Sequence, residues 1–196
     1  MKKQTKRNIN RICGFIGVCF LIAATALLAC WQWEMYASQQ KAASYVRMIR
    51  ERIPEPQGAA LEERSNNTMP VLWIAGTDFA GILEIPKYGS ELPVSAEWGN
   101  LSQYPSRFGG NVYDRTLQIG ATTQKGQYDF YRGLSVGDSV FFTDMEGNRF
   151  GYEIADIRYE KHTDQAALRR EGAALVLFIK NIYGLEYIIV TCSTIS

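Results

Sequence analysis

Two apolar, β-rich runs near the end of the chain restrict its fold more than any other feature. Ala-Leu-Val-Leu-Phe-Ile at 174–179 and Tyr-Ile-Ile-Val at 187–190 flank Asn-Ile-Tyr-Gly-Leu-Glu at 181–186. β-branched and aromatic residues suit a buried pleated surface, and Gly184 supplies the backbone freedom of a tight connection, so 173–192 reads as a hairpin. An isolated hairpin is at best marginally stable in water, so the rest of the chain has to supply a sheet around it.

The preceding segments are strands of the right kind. Phe-Ala-Gly-Ile-Leu-Glu-Ile at 79–85 is stopped by Pro86, and Leu-Pro-Val-Ser at 92–95 suits an edge because Pro93 cannot donate to a ladder. A helical turn is expected over 96–104, then a strand at 116–120 and a polar loop through Gln127. Val140 to Thr143 pairs across a Gly-containing turn with a long strand. In that strand Phe150, Tyr152 and Ile154 alternate before the beat slips to Ile157 and Tyr159, which predicts a β-bulge near Ala155. A short helix is expected at 164–171, ended by Gly172. Short strands, glycine-rich turns and no βαβ alternation predict an all-β barrel, closed or partly closed, with short helices.

The N-terminal part is different in kind. No charged residue occurs in 12–33, a length that spans a bilayer core as a helix. Lys2, Lys3, Lys6, Arg7 and Arg11 precede it and Glu34 is the first acid, so the positive-inside rule predicts a single-pass signal anchor with a cytoplasmic N-terminus and an extracytoplasmic domain. The competing reading is a lipobox at Leu27-Leu28-Ala29-Cys30 with a lipidated Cys30; the uncleaved anchor fits better because Leu28 suits that pattern poorly. The expected organisation is a basic segment at 1–11, a transmembrane helix at 12–33, a solvated helical stalk and flexible linker at 34–70, and the β domain at 71–196. Pro54 and Pro56 end the stalk.

Beyond the anchor, 16 basic residues face 20 acidic ones, a formal charge near −4, which argues against a nucleic-acid partner. Cys13, Cys19 and Cys30 lie in the apolar run and only Cys192 lies outside it, so the outer part cannot form an internal disulfide. The sequence shows no metal-ligand cluster, and no cofactor is expected.

Gly-Ile-Leu-Glu-Ile-Pro-Lys at 81–87 followed by Leu-Pro-Val at 92–94 resembles the opening of the sortase catalytic domain. Leu-Ser-Val-Gly-Asp at 134–138, the strand at 140–143 and Tyr-Glu-Ile at 152–154 are similar to that family's later strand hairpin. The resemblance implies a surface cysteine transpeptidase of Gram-positive cells. In such an enzyme a cysteine thiolate attacks a sorting-signal peptide, a histidine moves protons and an arginine steadies the oxyanion. The family histidine follows a glycine at a strand end, where this chain reads Gly120-Ala121-Thr122. Two registers are open for the cysteine. In the first, favoured because it keeps a final strand to close the barrel, the cysteine and arginine positions hold Lys180 and Tyr187. In the second, Thr191-Cys192 is the nucleophile motif and no arginine strand follows.

The expectation is therefore a membrane-anchored barrel with its catalytic positions replaced at Ala121, Lys180 and Tyr187. It would bind sorting-signal or pilin-type peptides or assist a partner sortase. The alternatives are an active transpeptidase using Cys192 and a decayed gene product. His162, the only histidine, lies in a polar stretch and reads as a solvated side chain, and Lys180 lacks a neighbouring base for nucleophilic work.

Overall fold

The computed structural model describes residues 2–55, 57–58, 68–99, 101, 103–124, 127, 131–161, 172–182 and 186–195; in the first helix the side chains of 2–13, 34, 35, 38 and 39 fall outside the description. The expected helix at 164–171 and His162 lie outside the described residues. The chain divides into two compact units, Met1–Ala37 and Ser38–Ser196.

The first unit is helical, being the N-terminal part of α1 (Lys2–Arg50). Within it Gly14–Trp33 is long and apolar enough to cross a membrane, and its described side chains, Phe15, Phe20, Leu21 and Leu27 among them, are exposed.

The second unit is mostly β, with ten strands among the described residues. Eight of them close a ring. β3 (Thr77–Ile85) pairs on one side with β4 (Ser90–Ser95) and on the other with β7 (Ser139–Asp144), and β7 pairs with β8 (Asn148–Glu160). β8 pairs with β10 (Tyr187–Thr194), β10 with β9 (Leu175–Lys180), and β9 runs parallel to β6 (Leu117–Thr122). β6 pairs with β5 (Ser106–Gly109), and a parallel bridge from Ser106 to Ser95 on β4 completes the circuit. The remaining strands are short: β2 (Leu72–Ile74) lies along β3, and β1 (Gln57–Gly58) lies along β8.

Local chemistry explains the connections. β2 turns into β3 through Ala75 and Gly76, both at positive φ (48° and 88°), as a two-residue hairpin that matches strand twist requires. The β7–β8 turn is organised by the buried Asp144 carboxylate, which accepts from the backbone N–H of Glu146 and of Asn148, from Asn148 Nδ2, and from the Tyr113 hydroxyl at 2.6 Å. The bulge falls where the broken alternation places it. Thr191 pairs with Asp156 and Cys192 with Ile154, so Ala155 is the extra residue, and the strand bends there.

The barrel interior is filled by Leu83, Ile85, Val94, Leu117, Ile119, Ala121, Phe142, Tyr152, Ile154, Leu175, Leu177, Ile179, Ile188, Val190 and Cys192. A second cluster differs from the expected solvated stalk: Val46, Ile49 and Ile53 are buried with Ile74, Phe79, Ile82 and Tyr104, and the rings of Tyr45, Phe79 and Tyr104 meet at 5.0–5.9 Å. Burying a side chain such as Ile49 contributes about 1.5–3 kcal/mol, which holds the end of α1 on the barrel. Ionic contacts add to it. Arg50 reaches Glu84 at 2.8 Å and Glu91 at 3.1 Å, and Arg149 reaches the other oxygen of Glu84 at 2.8 Å while its guanidinium lies 3.8 Å over the Phe141 ring.

The second compact unit begins at Ser38 and includes the apolar face at the end of α1, the pairing of Gln57 and Gly58 with β8, and the buried Met69. One expectation is corrected and one strand is added. The described residues of 96–104 form bends and a turn, not a helix, with Trp98 packed on Phe108. The strand at Ser106–Gly109 was not expected at all.

Candidate functional site

The ends of β6, β9 and β10 bring together the positions that the sequence singled out. β6 and β9 run parallel with Ala121 level with Ile179 and Thr122 level with Lys180, while Lys180 faces Tyr187 across the antiparallel ladder to β10. Side chains alternate between faces. Ala121 and Ile179 therefore belong to the interior, where both are fully buried, and Thr122, Lys180 and Tyr187 share the outer face as neighbours on three adjacent strands.

The surroundings of this triplet are aromatic on one side and hydrogen-bonded on the other. Phe178, two residues before Lys180, stacks on Tyr187 with ring centroids 5.1 Å apart and planes within 8°. Val176 and Ile189 are buried with Phe178 in one apolar cluster, with Phe108 packed against it. Trp98 lies over Gly120 and meets Phe108 edge-on at 4.8 Å. A Cβ at position 120 would come within 2.3 Å of the indole, so only glycine admits this approach.

Beyond Lys180 the chain is tied off. Thr123 N–H donates to the Lys180 carbonyl at 3.0 Å, the Thr123 hydroxyl donates to Asn181 Oδ1 at 3.4 Å, and Ile182 N–H donates to that hydroxyl at 3.1 Å. Buried Gln127 accepts from the Thr122 N–H at 3.1 Å and donates to the Leu101 carbonyl at 2.8 Å, so the segment after β6 is bound to both the hairpin and the 99–104 segment. Lys180 itself is exposed, and among the described residues its ammonium makes no ion pair or hydrogen bond.

Cys192 lies elsewhere. It is on the inner face of β10, 1% exposed, level with Leu175 of β9 and Ile154 of β8, and five residues along β10 from Tyr187, roughly 17 Å at strand spacing. Burial pushes its thiol up to about 12, and burial likewise raises the neighbouring Tyr152 phenol. A thiol so placed is a packing group, since only an accessible thiolate is a nucleophile. Among the described residues no group of His, Cys, Asp and Glu is placed to hold a metal ion.

Sequence reasoning overlooked Thr122, Trp98 and Gln127. The signal for Thr122 was present in β6, because Ala121 has the parity of Leu117 and Ile119 and so must share their inward face; Trp98 and Gln127 had no such signal.

Neither a protein-family model nor a curated protein sequence matches the chain. Solved structures do. Sortase C1 of Streptococcus suis is similar with a TM-score of 0.51 at 19% identity, over 60% of this chain and 73% of that one. The sortase D5 transpeptidase of Clostridium perfringens gives 0.51 at 19% identity, over 61% and 80%. Sortase C1 of Streptococcus agalactiae gives 0.50 at 16% identity, over 59% and 67%. The chain has a sortase-like fold. In this sortase-like barrel the outward-facing positions at the ends of β6, β9 and β10 are Thr122, Lys180 and Tyr187, a hydroxyl, an ammonium and a phenol. Of these, Lys180 is exposed and Tyr187 half-buried, whereas the Thr122 hydroxyl is buried and donates to Gln127 Oε1 at 3.3 Å.

Proposed function

We propose that this protein is a membrane-anchored, extracytoplasmic sortase-like module that binds extended peptides of the sorting-signal or pilin type on the outer face of β6, β9 and β10, by itself or alongside a partner sortase, and does not carry out transpeptidation. The observation that carries this reading is the juxtaposition of Thr122, Lys180 and Tyr187 on that face, with the sole thiol of the β domain sealed inside the barrel. Acyl transfer through cysteine needs a reachable thiolate and a proton carrier within hydrogen-bond range. The partly exposed rings of Tyr187, Phe108 and Trp98 offer a peptide apolar contact. Anchoring is supported by the apolar helix Gly14–Trp33 and the basic residues before it, which favour a cytoplasmic N-terminus.

The test is to incubate the full-length protein in detergent with fluorescent sorting-signal peptides and an amine acceptor, following binding by anisotropy and products by mass spectrometry. Saturable binding with no cleaved or transferred product is expected. Turnover that disappears in Cys192→Ala would overturn the reading in favour of a cysteine transpeptidase.

A further inference from the structure

One part of the outer face has room for a ring and already holds one. Leu92 and Val94 of β4 belong to the interior, as do Ile119 and Ala121 of β6, so by alternation Ser95 and Gly120 face outward. Ser106 of β5 lies between them, paired with Ser95 on one side and with Gly120 on the other. Three small residues thus form a row across adjacent strands and leave a trough, with Phe178 as its wall beside Gly120. The Trp98 indole fills it, so close to Gly120 that no Cβ fits there, yet Trp98 remains 44% exposed. At the centre of the row the Ser106 hydroxyl is fully buried and, among the described residues, has no hydrogen-bond partner. A buried hydroxyl left unpaired carries a desolvation penalty, which a ligand able to bond it removes. The backbone on either side of Trp98 is fixed, because Arg107 Nε donates to the Ala96 carbonyl at 3.3 Å and Gln127 Nε2 to the Leu101 carbonyl at 2.8 Å. Emptying the trough therefore falls to the Trp98 side chain, by rotation to another staggered rotamer.

We infer that this trough is a subsite for a tyrosine side chain of a bound peptide, which displaces the Trp98 indole and hydrogen-bonds through its phenol to the Ser106 hydroxyl. The inference rests on the peptide-binding reading above and assigns a side chain that the face selects. Tyrosine is flat enough for a space that holds an indole, and the tip of its ring both donates and accepts. Phenylalanine fills the same space but leaves Ser106 unpaired.

The experiment uses the full chain in detergent micelles and three fluorescein-labelled octapeptides that differ at one central position, tyrosine, phenylalanine or alanine, with affinities read by anisotropy. The tyrosine peptide is expected to bind about fivefold more tightly than the phenylalanine peptide, the difference made by one neutral hydrogen bond, and the alanine peptide more weakly than both. Ser106→Ala should bring tyrosine down to phenylalanine and leave the other two unchanged. Trp98→Ala empties the trough, so the tyrosine-to-alanine ratio should rise on the order of tenfold. The ratio is the quantity to read, because the exposed edge of Trp98 also gives every peptide some apolar contact. A second measurement keeps the indole in place: with 5-fluorotryptophan at all four tryptophans, the Trp98 fluorine resonance, assigned through Trp98→Phe, should move on saturation with the tyrosine peptide and stay with the alanine peptide. A resonance that moves with neither, a ratio that does not rise in Trp98→Ala, or a preference for tyrosine over phenylalanine that survives Ser106→Ala would each overturn the inference. Three peptides that bind alike would also overturn it and leave the peptide-binding reading standing, whereas no binding of any peptide would overturn both.

Discussion

Lys180 and Tyr187 face each other in the final pair of the β9–β10 ladder, so the two positions that the family resemblance gives to a nucleophile and an oxyanion donor are neighbours across one hairpin. Thr122 completes the row from β6. This geometry makes the site testable by substitution in a way that single residues would not.

A thiol, an imidazole and a guanidinium can be placed on that row together. The triple variant Thr122→His, Lys180→Cys, Tyr187→Arg is expected to form a thioester with a sorting-signal peptide, detected by intact-protein mass spectrometry, while each single change does almost nothing because the groups act as a unit. Ala121→His, by contrast, forces a polar ring into the barrel and should cost about 2–4 kcal/mol of unfolding free energy in denaturant titrations. An Ala121→His protein as stable as the parent would show that position 121 does not face inward.

Cys192 should be inert in the folded protein. Iodoacetamide labelling mapped by peptide mass spectrometry is expected to miss Cys192 from pH 7 to pH 10, since burial holds its thiol near 12, and to reach it once denaturant unfolds the barrel. Rapid labelling of native protein would contradict its place inside.

Gly120 should resist even one methyl group. Gly120→Ala drives a Cβ into the Trp98 indole and is expected to lower stability by about 1–3 kcal/mol. Because the clash is with that ring, adding Trp98→Ala should return part of the loss, a non-additivity that a double-mutant cycle measures directly. Strict additivity would mean the two do not touch.

The attachment of α1 should be acid-labile. Burial alone would push the Glu84 carboxyl up, but hydrogen bonds and charge from Arg50 and Arg149 outweigh it and hold the carboxyl below its ordinary 4.5. A depressed folded value means that the contribution is complete above the ordinary carboxylate range and is lost as pH falls through the folded value. Glu84→Gln should therefore cost about 2 kcal/mol at pH 7 by thermal melting, with the gap to the parent shrinking below about pH 4. A gap that stays constant into acid would assign the loss to shape instead of charge.

Much of the barrel was legible because alternation is a strong signal. Tyr152 and Ile154 followed by Ile157 and Tyr159 located the bulge at Ala155, and the two apolar runs located β9 and β10. β5 was not legible: Ser-Arg-Phe-Gly has no apolar run, and it is a strand because β6 pairs with it. The end of α1 carried its signal in the spacing of Val46, Ile49 and Ile53, yet a helix read alone cannot show what covers its face. At the site, strand parity puts Ala121 with Leu117 and Ile119 on the inner face and Thr122 on the outer one.

The position of β10 has a consequence for how the molecule is made. It follows both of its neighbours in sequence, yet it is inserted between them, pairing β8 along one edge and β9 along the other. A chain that emerges N-terminus first therefore waits as an open curl with two long, sticky margins until Tyr187–Thr194 arrives to lock it. The hazardous interval of biogenesis falls between the synthesis of β9 and that of β10, and a product lacking Tyr187–Thr194 would be a seed for aggregation rather than a slightly smaller barrel.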